Sequence, residues 1–472
     1  MLRKCSMHIG HNCRHHQRWR LMFNGKAISF SQRDRSTSPA GLFDWALPIS
    51  VKNSVKASVL DHVAKQNDGH WINEKIEDDK TTERTVGGVN EPISSFYNDP
   101  LEEWHLDQHA KYWPGLPQNV LPYEQADPFL LAQDELDSLS TSIREDLLGM
   151  DHPVLNKAAS YFFEDSASGK KVRPMIVLLL SRALADACTE RGTDSVDIPL
   201  FTPPLAWQRK DLPRAQRRLA EISEIIHTAS LFHDDVIDEA ETRRGLPAVH
   251  TIFGSKVAIL AGDYLLARAS ISLARLRNPE VIESMSLIIE HLVRGEIMQI
   301  RGSSGDQKRA RLVHYLRKNF YKTASLMANS CKSVAILGSY PSEMVMASYE
   351  YGKHVGIAFQ LVDDILDFEG NLSQLGKPAL SDLKAGLSTA PVLFASSEFP
   401  ELELLMDRKF KEDGDVERAV EYVFDSNGLR RTKELARVHA ELAMEAALSL
   451  ESSIYRDALV HLAHKVVSRT NQ

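Results

Sequence analysis

The sequence predicts an all-α body running from about residue 130 to Gln472, on three observations. Apolar residues recur at helical spacing, as in Val281, Met285, Ile288 and Leu292, or Leu435, Val438 and Leu442 with Ala446 behind them, which lays them along one stripe of a 3.6-residue helix. Alternating apolar and polar runs, the mark of strands, are scarce. Breakers at Asn278-Pro279, Tyr340-Pro341 and Asn427-Gly428 divide the region into helices of ordinary to long length.

Composition narrows the function. The 472 residues are 43% hydrophobic and 25% charged, ordinary for a globular chain. Lys and Arg number 56 against 64 Asp and Glu, a net charge of −8, so the basic field that wraps nucleic acid is missing and nucleic acid is a poor first partner. The longest purely apolar run, Met175 to Leu180, falls far below the roughly 18 residues that cross a bilayer, so no membrane span is expected. Cys5, Cys13, Cys188 and Cys331 form no C-x-x-C pair and suggest neither a disulfide framework nor structural zinc, which fits a reducing compartment.

Taken in order, the chain opens on a basic segment. Arg3, Lys4, Arg14, Arg18, Arg20, Lys26 and Arg33 precede the first acid, Asp34, and Ser29, Ser31, Ser36, Thr37 and Ser38 follow in the same stretch. That composition predicts an organellar transit peptide over residues 1–38, mitochondrial first and plastid second. Residues 39–128 are polar and punctuated by Gly87-Gly88, Pro92, Pro100, Pro114, Pro117 and Pro122, which reads as a linker with a short helix near Leu101 to Tyr112. The helical domain follows over 129–472. Within it, residues 191–216 carry Pro199, Pro203, Pro204 and Pro213, which helix interiors do not tolerate, and read as a surface insertion without function.

Two acidic strings carry the chemistry. Asp234, Asp235 and Asp238 close the run Leu231 to Asp238, and Asp363, Asp364 and Asp367 repeat the D-D-x-x-D pattern after the mostly apolar run Gly356 to Val362. On a helix the first and last aspartate of each string share a face one turn apart. Carboxylates so crowded repel unless a cation lies between them, and inside an apolar helix they are too costly to persist unpaired. Hard divalent ions such as Mg²⁺ take carboxylate oxygens and keep positions open for phosphate. Facing helices would then place six carboxylates on one cavity, enough for about two or three Mg²⁺ ions on a substrate diphosphate. Cations for phosphate are also present: Lys170, Lys171 and Arg173 beside Gly169, Arg243 with Arg244, and Lys322 next to Thr323. The spacing G-x-x-x-x-G-K-[ST] is missing, so no nucleotide is implied. Two diphosphate sites are expected, one organised by metal and one by bare cations.

These residues resemble the trans-polyprenyl diphosphate synthases. Glu224 to Asp238 with Arg243-Arg244-Gly245 is similar to the first aspartate-rich region of that family, and Phe359 to Phe368 with Gly376-Lys377-Pro378 and Asp382-Leu383-Lys384 to the second. Gly169 to Pro174, Gly262 to Leu266, Gly295-Glu296 and Lys322-Thr323 fit the same pattern, with Lys171 where the family more usually has arginine. The resemblance covers about Leu130 to the C-terminus. It implies the isoprenoid synthase helical bundle around a deep central cavity, usually dimeric, with the six aspartates holding Mg²⁺ on an allylic diphosphate. Arg243, Lys322, Thr323, Gln360 and Lys377 would contact that diphosphate, and Lys170, Arg173, His227 and Arg244 would bind isopentenyl diphosphate. It further implies a homodimer or a heteromer with a related subunit, peripheral membrane association, and a mitochondrial matrix address. The reaction implied is loss of diphosphate from the allylic substrate, attack by the isopentenyl double bond, and loss of a proton to the released diphosphate.

Product length is read from the helix leading to Asp234. Ser223, Ala229 and Ser230 are small and lie near its stripe, and at about 1.5 Å per residue Ser223 lies roughly 16 Å below Asp234. In the family an aromatic five residues before the first aspartate marks short products; that place is Ala229, so a chain of about six to ten isoprene units, suited to ubiquinone, is expected. A class I terpene cyclase, the first rival, usually carries an Asn/Asp-Ser/Thr-Glu motif in the second position, and a non-catalytic partner subunit, the second, tends to lose aspartates. Both strings here are complete.

Overall fold

The computed structural model describes residues 18–23, 26–31, 116–117, 119–147, 153–163, 171–189, 214–243, 245–301, 308–370 and 380–468. The chain divides into two units, Met1–Pro92 and Ile93–Gln472. In the first, β1 (Arg18–Phe23) pairs antiparallel with β2 (Lys26–Ser31), Phe23 opposite Lys26. This pair was not expected from the sequence, although Asn24-Gly25 between the two runs is a strong hairpin signal. The helix expected near Leu101 to Tyr112 lies outside the described residues.

The second unit is helical. Its first described residues, 116–117 and 119–127 at the end of the expected linker, are docked rather than free of the domain. Leu121 N donates to Asp457 Oδ2 at 3.0 Å, His461 Nε2 lies 2.7 Å from Leu121 O, and the Lys465 ammonium lies 4.6 Å from the centre of the Tyr123 ring. Polar anchors on the last helix thus satisfy backbone groups that the proline-rich run cannot pair internally. The Asp127 carboxylate then caps α1 (Pro128–Leu131), which has proline in its first turn. α2 (Gln133–Leu147) and α3 (Pro153–Ser160) lead to α4 (Val172–Thr189), where Met175 to Leu180 are all buried.

α5 (Arg214–Ile237) carries the first aspartates and packs on α4. Its start corrects the insertion boundary: Arg214 to Gln216 are helical and Gln216 is buried, because Pro213 falls just before the helix, where its missing N–H is harmless. A two-residue ladder of β3 (Thr242–Arg243) and β4 (Leu246–Pro247) turns at Gly245, whose φ of +76° is left-handed. Beyond it come α6 (Val249–Phe253), α7 (Ser255–Arg275), α8 (Pro279–Arg301) and α9 (Lys308–Asn319). α7 has the length and mean hydropathy of a membrane span, a signal that uninterrupted apolar runs do not register, yet it packs along α5 in the bundle.

A π turn at Phe320–Ala324 joins α9 to α10 (Ser325–Leu337). α11 (Ser342–Glu369), which carries the second aspartates, runs against α10 and, further on, α16. The approach is close: a Cβ on Gly352 would lie 2.6 Å from Met327 O, and one on Gly356 2.6 Å from Ala324 Cα. α12 (Ser381–Lys384), α13 (Ala390–Ala395), α14 (Glu401–Asp407) and α15 (Asp415–Asp425) close a second, smaller core of Ile365, Phe368, Leu383, Val392 and Leu405 beneath the end of α11. α16 (Gly428–Leu448) and α17 (Ile454–Ser468) complete the bundle.

Candidate active site

The first aspartate region ends α5. Asp235 is buried, and its Oδ1 accepts from Arg243 Nε at 2.7 Å and Nη2 at 2.6 Å. The β3–β4 turn brings Arg243 back to that carboxylate, while Asp235 Oδ2 is buried without a hydrogen-bond partner among the described residues. Asp234 and Asp238, one turn apart, are less buried. Burial above all, with Glu296 and Asp238 adding repulsion against the pull of Lys322 and Arg243, raises the Asp234 carboxyl to about 6. Asp238 is raised as well, again chiefly by burial.

Lys322 and Thr323 lie in the π turn, a local rewinding often found at functional sites. The Lys322 ammonium pairs with Glu296 and donates to Gln299 Oε1 at 3.1 Å, both on α8. Gly295 makes room for it, since a Cβ there would fall 2.6 Å from Lys322 Cγ.

The second region is more tightly bonded. Thr323 Oγ1 donates to Gln360 Oε1 at 3.0 Å, and Gln360 Nε2 to Asp364 Oδ1 at 3.1 Å. Tyr315 Oη and, at 3.2 Å, Ala390 N donate to Asp364 Oδ2. Burial first, then the nearby Asp382, raises Asp364 to about 6. Asp367, also buried, holds the start of α12: its Oδ1 accepts from Ser381 N at 3.2 Å and Oγ at 3.0 Å, its Oδ2 from Asp382 N at 3.1 Å.

The six aspartates therefore do not stand alike. Asp235, Asp364 and Asp367 are buried on protein donors, whereas Asp234, Asp238 and Asp363 are less buried. Among the described residues no three His, Cys, Asp or Glu side chains converge into a ready-made ion site. Asp238 of the first region lines a cavity of about 420 Å³ together with Glu296, Gln299, Tyr315 and Lys318; the second region reaches it through Tyr315, which donates to Asp364. Its walls are mixed, with Ile237, Met298, Ile300, Leu387 and Met406 beside Arg301, Arg311, His314 and Lys409.

Arg173 on α4 and His227 on α5, both expected at isopentenyl diphosphate, meet: Arg173 Nη1 donates to His227 Nε2 at 3.0 Å. Lys170, Arg244 and Lys377 lie outside the described residues. Ser223 and Ala229 are fully buried, and the hydroxyls of Ser223 and Ser230 bond back to Ala220 O and His227 O at 2.8 and 2.9 Å, leaving small, satisfied side chains along α5. Sequence reasoning missed Glu296, Tyr315 and Lys318 as site residues. The spacing Tyr315, Lys318, Lys322 follows one helical stripe and was the available signal.

Residues 152–423 match the family model for polyprenyl synthetase. The chain belongs to that family. Polyprenyl synthetases are prenyltransferases, and the chain is an enzyme of that class. Solanesyl-diphosphate synthase 1, mitochondrial, of Oryza sativa is 44% identical over 74% of this chain and 80% of its own length. A probable mitochondrial hexaprenyl pyrophosphate synthase of Neurospora crassa is 45% identical over 73% of this chain and 82% of its own. In structure, the chain resembles the polyprenyl synthase of Caulobacter crescentus complexed with calcium and isoprenyl diphosphate, with a TM-score of 0.61 and 28% identity over 75% of this chain and 99% of that one. The apo medium/long-chain prenyl pyrophosphate synthase of Arabidopsis aligns with a TM-score of 0.54 and 37% identity over 73% of this chain and 100% of its own. The isoprenoid synthase bundle is therefore the fold, and divalent metal belongs to the chemistry.

Proposed function

We propose that the chain is a long-chain trans-polyprenyl diphosphate synthase that adds isopentenyl diphosphate stepwise to an allylic diphosphate and makes the ubiquinone side chain. One observation carries the reading: two aspartate regions far apart in sequence come to one cluster of cations, Lys322 acting on Asp234 and Asp238 of the first and Lys318 on Asp364 of the second, beside a cavity lined by Asp238 and by Tyr315, which donates to Asp364. Relatives named for hexaprenyl and solanesyl products support a chain of the expected length, and their mitochondrial names agree with the basic N-terminal segment.

The donor set fits Mg²⁺. It is made of hard carboxylate oxygens, and burial raises the Asp234 and Asp238 carboxyls despite the pull of Lys322 and Arg243, a cost that a bound cation would offset. Asp234, Asp238 and Asp363 would hold two or three ions, while Asp235, Asp364 and Asp367 position the helix ends through Arg243, Tyr315 and Ser381. Bound Mg²⁺ supplies charge neutralisation as diphosphate departs. The chain supplies the rest. Lys322, Thr323 and Gln360 face the departing group together with Arg243, and the Arg173–His227 pair orients isopentenyl diphosphate. The proton lost on condensation passes to the released diphosphate.

Exposed apolar side chains on α7 and α8, among them Leu260, Ile271, Val293 and Ile297, support a homodimer through these helices. The deciding assay gives the purified chain Mg²⁺, farnesyl diphosphate and isopentenyl diphosphate and reads products by mass spectrometry. A ladder ending at about six to ten isoprene units is expected from the roughly 16 Å of small residues on α5. Cyclised hydrocarbon, or no elongation by the chain alone, contradicts the reading.

A further inference from the structure

Cations in the cavity and beside it differ in how they are held. Lys322 is paired with Glu296, and Arg311 reaches Asp407 at 3.1 Å. Lys318, one turn before Lys322, lines the same cavity, yet among the described residues its ammonium makes no hydrogen bond or ion pair. Its one close partner among them is the face of the Tyr315 ring, 5.6 Å from the centroid. The acids whose fields reach it are Asp364, Asp382 and Glu296; Asp364 is already satisfied by Tyr315, Gln360 and Ala390 N, and Glu296 by Lys322.

Holding an ammonium half out of water without a carboxylate costs stability, and one cation–π contact of about 0.5–2 kcal/mol offsets only part of it. Packing therefore does not account for a lysine here. An anion entering the cavity does. Asp238 and Tyr315 line the same walls, so an anion carried in with metal on the first aspartate region comes within reach of the ammonium.

We propose that Lys318 is a further substrate-binding residue, donating from its ammonium to the diphosphate of the allylic substrate; this rests on the function proposed above. Lysine suits the role as a compact point charge with three donors. A charge-assisted hydrogen bond of about 1.5–3 kcal/mol corresponds to a roughly ten- to hundred-fold change in binding.

The test compares wild type with Lys318→Met, which keeps the apolar stem, and Lys318→Arg, which keeps the charge. Two readouts are taken: KM for farnesyl and for isopentenyl diphosphate, and melting temperature with and without inorganic pyrophosphate plus Mg²⁺. For Lys318→Met we expect KM for farnesyl diphosphate to rise about ten- to hundred-fold with KM for isopentenyl diphosphate little changed. Without ligand it should melt at or above the wild-type temperature, the pyrophosphate-induced rise should shrink, and Lys318→Arg should restore most of both effects. An unchanged KM for farnesyl diphosphate, an effect confined to isopentenyl diphosphate, or a ligand-free melting temperature clearly below wild type overturns the proposal. If wild type itself elongates nothing, the synthase reading fails separately, and the pyrophosphate shift still reports on Lys318.

Discussion

Asp234 and Asp235 are neighbours in sequence and differ in what removing them does. Asp235 holds the Arg243 fork, so Asp235→Ala leaves a partly buried guanidinium without its acceptor and should destabilise the fold by about 1–3 kcal/mol. Asp234→Ala removes a carboxylate whose charge burial disfavours, and its melting temperature should match or exceed wild type while turnover is abolished. Thermal denaturation beside a turnover assay separates the two; wild-type activity in Asp234→Ala would refute the assignment. The pairing of residue types with diphosphate chemistry was legible in the sequence, because D-D-x-x-D twice over has few other uses. Which aspartate turns inward was not. Adjacent positions look alike until the β3–β4 turn delivers Arg243 to one of them and α12 is seated on Asp367.

Among the elements, the π turn carrying Lys322 and Thr323 is fixed from two sides. Gly356 lets α11 approach it, and the His291 ring on α8 packs against Tyr321 at 4.8 Å between centroids. Gly356→Ala should cost about 1–3 kcal/mol by overpacking and, by shifting α11, lengthen the Thr323–Gln360 contact, lowering kcat more than Gly-to-Ala changes elsewhere; denaturant unfolding with kinetics checks this. Burial, helped by Arg294, lowers the His291 pKa from 6.5 to about 4. The unfolded chain then binds the proton more tightly, so this group's contribution is present above 6.5 and is lost as pH falls toward about 4. His291→Gln should flatten the fall in melting temperature over that range, and an unchanged slope would contradict the role. On α5, Ala229→Phe should shorten the product, read by mass spectrometry beside a melting control, because Ala229 is fully buried. Helices were legible from their 3.6-residue period. The helical start at Arg214 and the docking of residues 119–127 were not, because proline marks irregular backbone without telling whether a neighbour binds it.

For the whole molecule, the apolar face of α7 and α8 predicts self-association. Leu260 and Val293, 57% and 59% exposed, are the positions at which a charge should disrupt it: Leu260→Glu with Val293→Glu should convert a dimer to a monomer in light scattering, and an unchanged mass contradicts that interface. The most direct test of the whole account is calorimetric titration of inorganic pyrophosphate into wild type, Asp234→Asn and Asp363→Asn, each with and without Mg²⁺. Binding by wild type that requires Mg²⁺ and weakens at least about tenfold in either variant, as expected when one metal-bound diphosphate spans both regions, is the predicted result. Tight binding without metal, or wild-type binding by either variant, would contradict it.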